Sequence, residues 1–492
     1  MREKICLLTF EYPPRTVGGL NTFIKGLEAG LVKRGVDVQI FLPSHGIDLE
    51  AATEVVDSFK ISVNGGNLTV KARRMRGLTG RKNIVLFSSD EQSALNVKNP
   101  YPLKRKHEKV ALFAKAFLTY FRRNLKDKNV LLHANDRQAG MAALLVRRRF
   151  PNVRFLFTIH LLGHEKGVDD MVPRKVLKDF GISKFIPASI IERFAYTPAK
   201  GRKKGRGGRV LSPVWTEGII AYYADMVNTV SRSYLKYDVW PPFKSKGIPK
   251  DKFAYVYNGM NVREMTLSDL GKKRNAKSKL LRLLGLKDGI VFLNTGRQNT
   301  GQKATDALVQ SVDMFLEENP RIEDVRFILL AGGRNLDRKV KNILRKLRQK
   351  HPKKVYVKRG WVDDLMPYYL AADAYIMPSR FEPFGFTQIE AMCKGAPVIG
   401  SRTGGIRDVQ VDYPGIADSR FMDFRKSTGM LVSIANPYDL SERILEMYAL
   451  IKKDRKIYRQ LQANGMRRAR LFTIKATVDG YISLYRKLLS SA

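Results

Sequence analysis

A strand–helix–strand alternation occurs twice in this chain, and that repetition limits the folds open to it. Residues 4–10 (KICLLTF) form an apolar run of strand length. A loop with two prolines and a Gly-Gly pair follows. Leu20, Phe23, Ile24, Leu27 and Leu31 then recur at helical spacing, and Gly35 supplies a stop. Residues 36–43 read as the next strand, which completes a unit of the size expected in parallel α/β folds. The pattern returns as strand 129–133, helix 138–149 and strand 153–160. It starts again after about residue 285, with strands 290–295, 326–331, 374–378 and 397–400 separated by helical segments at 304–318 and 336–350. Two such series imply two doubly wound α/β domains. Residues 437–490 read as almost wholly helical.

Length and composition agree. A chain of 492 residues is too long for one ordinary core. Its apolar share of 44% is that of a globular protein. No run is apolar for long enough to cross a bilayer, and the N-terminus has no secretory h-region. Cys6 and Cys393 make no disulfide framework, so a reducing cytoplasm is expected. The charge is unusual: 89 Lys and Arg against 46 Asp and Glu give +43. Such a field attracts polyanions and anionic lipid heads. A basic proteome, or ion-pair networks suited to high temperature, accounts for it as well, and the spread of charge along the chain favours that account. The densest run, Lys200–Arg209 (KGRKKGRGGR), reads as a surface loop offering at most a weak contact to polyanions or an anionic membrane. No groove-reading module is visible, so specific nucleic-acid binding is not expected.

The residues that carry chemistry follow strands. The segment 378–397 contains Glu382 in a loop, Gly385 where a tight turn is needed, and a helix starting near Phe386 that carries Glu390. A helix opening after a strand points free N–H groups at an anion, which makes the Phe386 and Thr387 N–H groups candidate anion donors. Two glutamates eight positions apart suit two sets of sugar hydroxyls. After strand 290–295, Arg297 and Lys303 lie where a parallel sheet binds ligands. Fixed cations there suit an anionic ligand.

The 378–397 string resembles the Glu-x7-Glu region of retaining GT-B glycosyltransferases, and its FEPFG wording is similar to glycogen and starch synthases, especially the shorter archaeal type. The resemblance implies that Glu382 lies at the transferred sugar and Glu390 on the nucleotide ribose. Gly296-Arg297…Gln302-Lys303 resembles the family's Gly-Arg…Gln-Lys-Gly segment, with Ala304 in place of the last glycine; this implies that Arg297 and Lys303 hold the diphosphate and stabilise its charge more in the transition state than in the ground state. Gly18-Gly19 resembles the family's Lys-x-Gly-Gly-Leu loop, with Thr16 at the lysine position. His133-Ala134-Asn135-Asp136-Arg137-Gln138 resembles His-x-His-Asp-Trp-Gln, with Asn135 and Arg137 as departures. Thr158-Ile159-His160 resembles the strand-end Thr-Ile-His, followed here by Leu161. By this resemblance His160 lies at the sugar, while His133, Asp136, Gly404 and Gly405 belong to the acceptor or sugar pocket. The resemblance also assigns donor binding to Gly18 and Gly19, to Asn258 at the hinge, and to Trp361, where an aromatic ring stacks on the base.

The fold so implied is GT-B: two Rossmann-like domains facing a central cleft, over 1–262 and 263–473, with a final helix in 474–492 crossing back to the first domain. The implied reaction moves glucose from ADP-glucose or UDP-glucose to the non-reducing end of an α-1,4-glucan. No cofactor is expected. With no Asp-x-Asp sequence present, no metal is required in this scheme. Two alternatives stay open: a retaining transferase of the same fold with a lipid or small-sugar acceptor, and a non-catalytic relative.

Overall fold

Each series of alternating segments builds its own sheet. The structure, a computed structural model, describes residues 3–14, 19–47, 52–63, 66–75, 83–90, 92–102, 104–163, 171–196, 213–332, 336–414 and 424–490. The basic run Lys200–Arg209 lies outside the described residues, as does Gly18. The chain divides into two units. Unit 1 comprises Met1–Val230, Leu235–Val256 and Thr477–Ala492; unit 2 comprises Ser231–Tyr234 and Tyr257–Ala476.

Unit 1 holds a nine-stranded sheet. Its strands are β1 (Lys4–Leu8), β2 (Val38–Pro43), β3 (Thr53–Val63), β4 (Gly66–Met75), β5 (Ile84–Ser88), β6 (Val130–Asn135), β7 (Arg154–Ile159), β8 (Met226–Thr229) and β9 (Phe253–Tyr255). They lie in the order β3-β4-β5-β2-β1-β6-β7-β8-β9. β4 pairs antiparallel with both β3 and β5, and the remaining pairs are parallel. The apolar runs of β1, β2 and β5–β7 are buried throughout because helices cover the sheet, as parallel pairing demands.

The last helix, Ile474–Ser490, belongs to this core over most of its length. Val478 fills the space beside Gly30, where a Cβ would come within 2.3 Å of a Val478 methyl. Tyr481 and Tyr485 are fully buried. The Tyr485 hydroxyl lies 2.8 Å from His133 Nδ1, the Thr158 hydroxyl lies 2.8 Å from His133 Nε2, and Asn228 Nδ2 donates to the Tyr481 hydroxyl at 2.9 Å. Buried polar groups persist only when paired in this way.

Unit 2 holds a six-stranded, wholly parallel sheet. Its strands are β10 (Ile290–Arg297), β11 (Val325–Gly332), β12 (Val355–Arg359), β13 (Ala374–Met377), β14 (Val398–Ser401) and β15 (Gly429–Val432). The order β12-β11-β10-β13-β14-β15 places the switch in winding direction between β10 and β13. Loops at such a switch diverge and leave a crevice at the carboxyl ends of the strands.

The buried His133 makes unit 1 acid-sensitive. Burial, and next the nearby His160, push the imidazole well below its ordinary value of 6.5. Its contribution to stability is therefore full above that value and is lost as pH falls below it. The urea midpoint should drop between neutral pH and about one unit below 6.5, and should drop less in His133→Gln. An equal drop in both proteins would contradict this assignment.

Candidate active-site residues

Two loops meet at the switch point of unit 2. The first, after β10, folds back on itself: Asn299 Oδ1 accepts from the backbone N–H groups of Gln302 and Lys303, at 2.5 and 3.1 Å. The second, after β13, is tied to it by Arg380. The Arg380 N–H donates to the Gln302 carbonyl at 2.8 Å. Its guanidinium donates to the Thr300 carbonyl and grips both Asp306 oxygens, at 2.8 and 2.9 Å. A planar fork on a carboxylate fixes direction as well as distance.

This clamp brings Lys303 onto Glu382. The ammonium donates to Glu382 Oε2, and the Ser379 hydroxyl donates to the same oxygen at 3.3 Å. Glu382 is buried. Its loop is supported from below by Gly404 and Gly405. The Gly405 N–H donates to the Glu382 carbonyl at 2.8 Å. A Cβ on Gly404, whose φ is +39°, would lie 2.0 Å from that carbonyl oxygen, and one on Gly405 would lie 2.3 Å from Phe384 Cα. Both glycines thus allow backbone to approach backbone.

Glu390 has a different partner. The Tyr369 hydroxyl donates to its Oε2 at 2.6 Å and also lies 3.1 Å from the Thr295 hydroxyl at the end of β10. Burial raises the Glu390 carboxyl above its ordinary value, and the Tyr369 hydrogen bond works against that. Gly385, at φ +89°, caps the helix Phe386–Cys393 without a side-chain hydrogen bond, so the Phe386 and Thr387 N–H groups head that helix uncapped.

Arg297 ends β10 exposed and pairs in register with Gly332 of β11. A Cβ at Gly332 would touch the Trp361 ring at 3.7 Å and the Gly296 carbonyl at 3.3 Å, which puts Trp361 beside the Arg297 turn. Trp361 is 57% exposed. Asn258 is buried, and its Oδ1 has no hydrogen-bond partner among the described residues.

Unit 1 carries a second group at the carboxyl ends of β6 and β7. Asp136 has φ +60°, a strained conformation for a residue with a Cβ, of the kind that gathers at functional sites. Its Oδ1 accepts from the N–H groups of His160 and Leu161, at 2.7 and 3.3 Å. Burial above all lifts the Asp136 carboxyl to about 7; the nearby Glu217 and Glu11 add to the rise, and the two backbone donors oppose it. The half-buried His160 ring packs on Phe23 at 4.6 Å between centroids, and burial lowers its imidazole to about 3, which keeps it neutral. Gly19 opens the helix Gly19–Lys33, exposed.

His133 differs from the expectation that it lines a sugar pocket. It has zero exposure and both ring nitrogens are engaged inside unit 1, so it anchors the last helix. Sequence reasoning missed Arg380 and Tyr369. Arg380 stood inside the strongest motif; Tyr369 had no local signal. Among the described residues no group of three or more His, Cys, Asp or Glu side chains is arranged to hold a metal ion, and no helix is long and apolar enough to cross a membrane.

Residues 4–248 match the family described as the starch synthase catalytic domain, and residues 289–449 match glycosyl transferases group 1. The chain is a glycogen/starch synthase-like glycosyltransferase. Glycogen synthase 1 of Methylococcus capsulatus is 24% identical, over 99% of this chain and 97% of its own. A Granulibacter bethesdensis glycogen synthase is 26% identical, over 97% and 98%. Among solved structures, the catalytic domain of starch synthase IV from Arabidopsis thaliana, bound to ADP and acarbose, superposes with a TM-score of 0.78 at 19% identity, covering 99% of both chains. The Anabaena HepE protein in complex with UDP and glucose gives 0.59 at 15% identity. These superpositions identify the architecture as GT-B.

The glycine pair gives a direct test. Gly405→Ala forces the Glu382 loop to move and should lower stability by about 1–3 kcal/mol. Gly301→Ala, at a position where the nearest neighbouring atom is 4.0 Å away, should leave the melting temperature within a degree or so of wild type. Equal melting temperatures for both variants would contradict the packing described.

Proposed function

We propose that this glycosyltransferase moves glucose from ADP-glucose or UDP-glucose to the non-reducing end of an α-1,4-glucan, with retention. The observation that carries the reading is the meeting of Lys303 and Glu382 at the switch point of the unit 2 sheet, next to an uncapped helix start. Relatives named as glycogen synthases support a glucan acceptor, and a starch synthase structure bound to ADP supports a nucleoside diphosphate-linked donor.

In this reading unit 2 binds the nucleotide. Trp361 stacks on the base and Glu390, oriented by Tyr369, accepts from the ribose hydroxyls. Arg297 and Lys303 neutralise the diphosphate, and the Phe386 and Thr387 N–H groups hold the distal phosphate. Glu382 accepts from hydroxyls of the transferred glucose. Asn258 is assigned to the donor side by the family resemblance, and Gly404 and Gly405 set the height of the sugar floor. In unit 1, the family resemblance assigns Gly18 and Gly19 to donor binding and His160 to the sugar, and Asp136 fixes the His160 backbone.

The chemistry follows from what these groups supply. The bond from the anomeric carbon to the phosphate oxygen breaks, and the electron pair leaves with the diphosphate, where Arg297 and Lys303 stabilise it. The acceptor hydroxyl oxygen attacks the anomeric carbon on the face the diphosphate left. Its proton passes to the departing phosphate oxygen. No carboxylate nucleophile is used in this scheme, and Glu382 acts by holding the sugar.

The test is release of nucleoside diphosphate from ADP-glucose and from UDP-glucose, with and without glycogen. Glycogen-dependent release from one donor is expected, reduced about 100-fold or more in Glu382→Ala with the fold retained. Donor binding without glycogen-stimulated release would overturn the acceptor assignment, and a fully active Glu382→Ala would overturn the role given to Glu382.

A further inference from the structure

We propose that Asn135 is a positioning residue that holds the His160 imidazole in the Nε2–H tautomer and leaves Nδ1 as an obligate acceptor for a sugar hydroxyl. The inference rests on the reading that His160 lies at the sugar, and it adds which nitrogen does the work and what decides it.

The direction of the Asn135 amide is set by its partners. Asn135, at the end of β6, is 1% exposed. Its Nδ2 donates to the Leu8 carbonyl at 3.2 Å and reaches the His133 carbonyl at 3.5 Å. Carbonyls only accept, so the amide nitrogen must face them and Oδ1 must face the other way. That oxygen lies 3.0 Å from His160 Nε2. An amide oxygen also only accepts, so Nε2 carries the hydrogen. In a neutral imidazole the other nitrogen then has none.

Nδ1 of His160 is left available. It has no hydrogen-bond partner among the described residues and is not a sealed, unsatisfied atom. The ring cannot swing to change this: Phe23 packs on it at 4.6 Å between centroids, and Asp136 Oδ1 holds the His160 N–H at 2.7 Å. A histidine at position 135, as in the related pattern, could itself titrate or change tautomer. A primary amide does neither, so the order at Nε2 is fixed by covalent structure.

The test separates tautomer from turnover. The six histidines of the whole protein are labelled with nitrogen-15, and the His160 ring signals are assigned by their loss in His160→Gln. Near neutral pH the wild type should show a single Nε2–H pattern. Asn135→Ala should give mixed or Nδ1–H signals and lower kcat by roughly 10- to 100-fold, the size found when an outer hydrogen-bond partner of an active group is removed, with a smaller change in donor KM. N135D keeps an oxygen at the accepting position and should keep the hydrogen on Nε2, whether or not the carboxylate adds a second one at Nδ1; it carries the test if Asn135→Ala does not fold. An unchanged pattern in Asn135→Ala, or loss of the Nε2 hydrogen in N135D, overturns the inference. A lost pattern in Asn135→Ala with unchanged kcat, while His160→Gln is inactive, overturns the positioning role. Wild-type turnover in His160→Gln defeats the reading of His160 instead, and the spectra still decide the tautomer.

Discussion

The ion pair between Lys303 and Glu382 is the interaction on which unit 2 is organised. It joins the loop after β10 to the loop after β13, the two strands that flank the switch in winding direction. Neither partner is held by its own loop alone. Arg380 fastens the loops to each other through Asp306 and two carbonyls, and Gly405 fixes the height of the Glu382 carbonyl from beneath. The pair is partly buried, so it costs desolvation and is a weak source of net stability. Its retention beside an uncapped helix start suits a site in which the lysine exchanges one anion for another.

Unit 1 uses its polar interior differently. His133, Thr158, Asn228, Tyr481 and Tyr485 form one buried network in which a segment from the end of the chain completes the hydrogen bonds of strands from its first half. Two residues beyond His133 in the same strand, Asn135 turns its amide to His160. One strand therefore carries an anchoring histidine and, on the same face nearer the loop, a group that bears on chemistry. That division places the rigid part of the network behind the residues at the strand ends.

Much of this was legible in the amino-acid sequence, for a physical reason. Strands of a parallel sheet are buried on both faces, so β10, β11, β13 and β14 appear as short apolar runs, and β10 and β11 merely extend a little further than those runs suggested. The motif of 378–397 shows its loop and helix because Gly385 and the helix stop at Lys394-Gly395 are local signals. The β3–β4 hairpin was not legible: its residues alternate charge with half-buried side chains, and no continuous run marks it. Nor was the burial of His133, because the tyrosine that covers it lies 352 positions away. Arg380 and Tyr369 show the same limit, since each acts through partners 21 to 80 positions distant that only the folded sheet brings near.

The most direct test of the central claim is calorimetric titration of ADP and UDP into the wild type, Lys303→Met and E382Q. If Lys303 exchanges Glu382 for a phosphate, Lys303→Met weakens the preferred nucleotide about tenfold or more, and E382Q, which frees the lysine, binds it at least as tightly as wild type. Equal weakening by both substitutions, or no effect of Lys303→Met, would contradict the claim that this pair marks the nucleotide site.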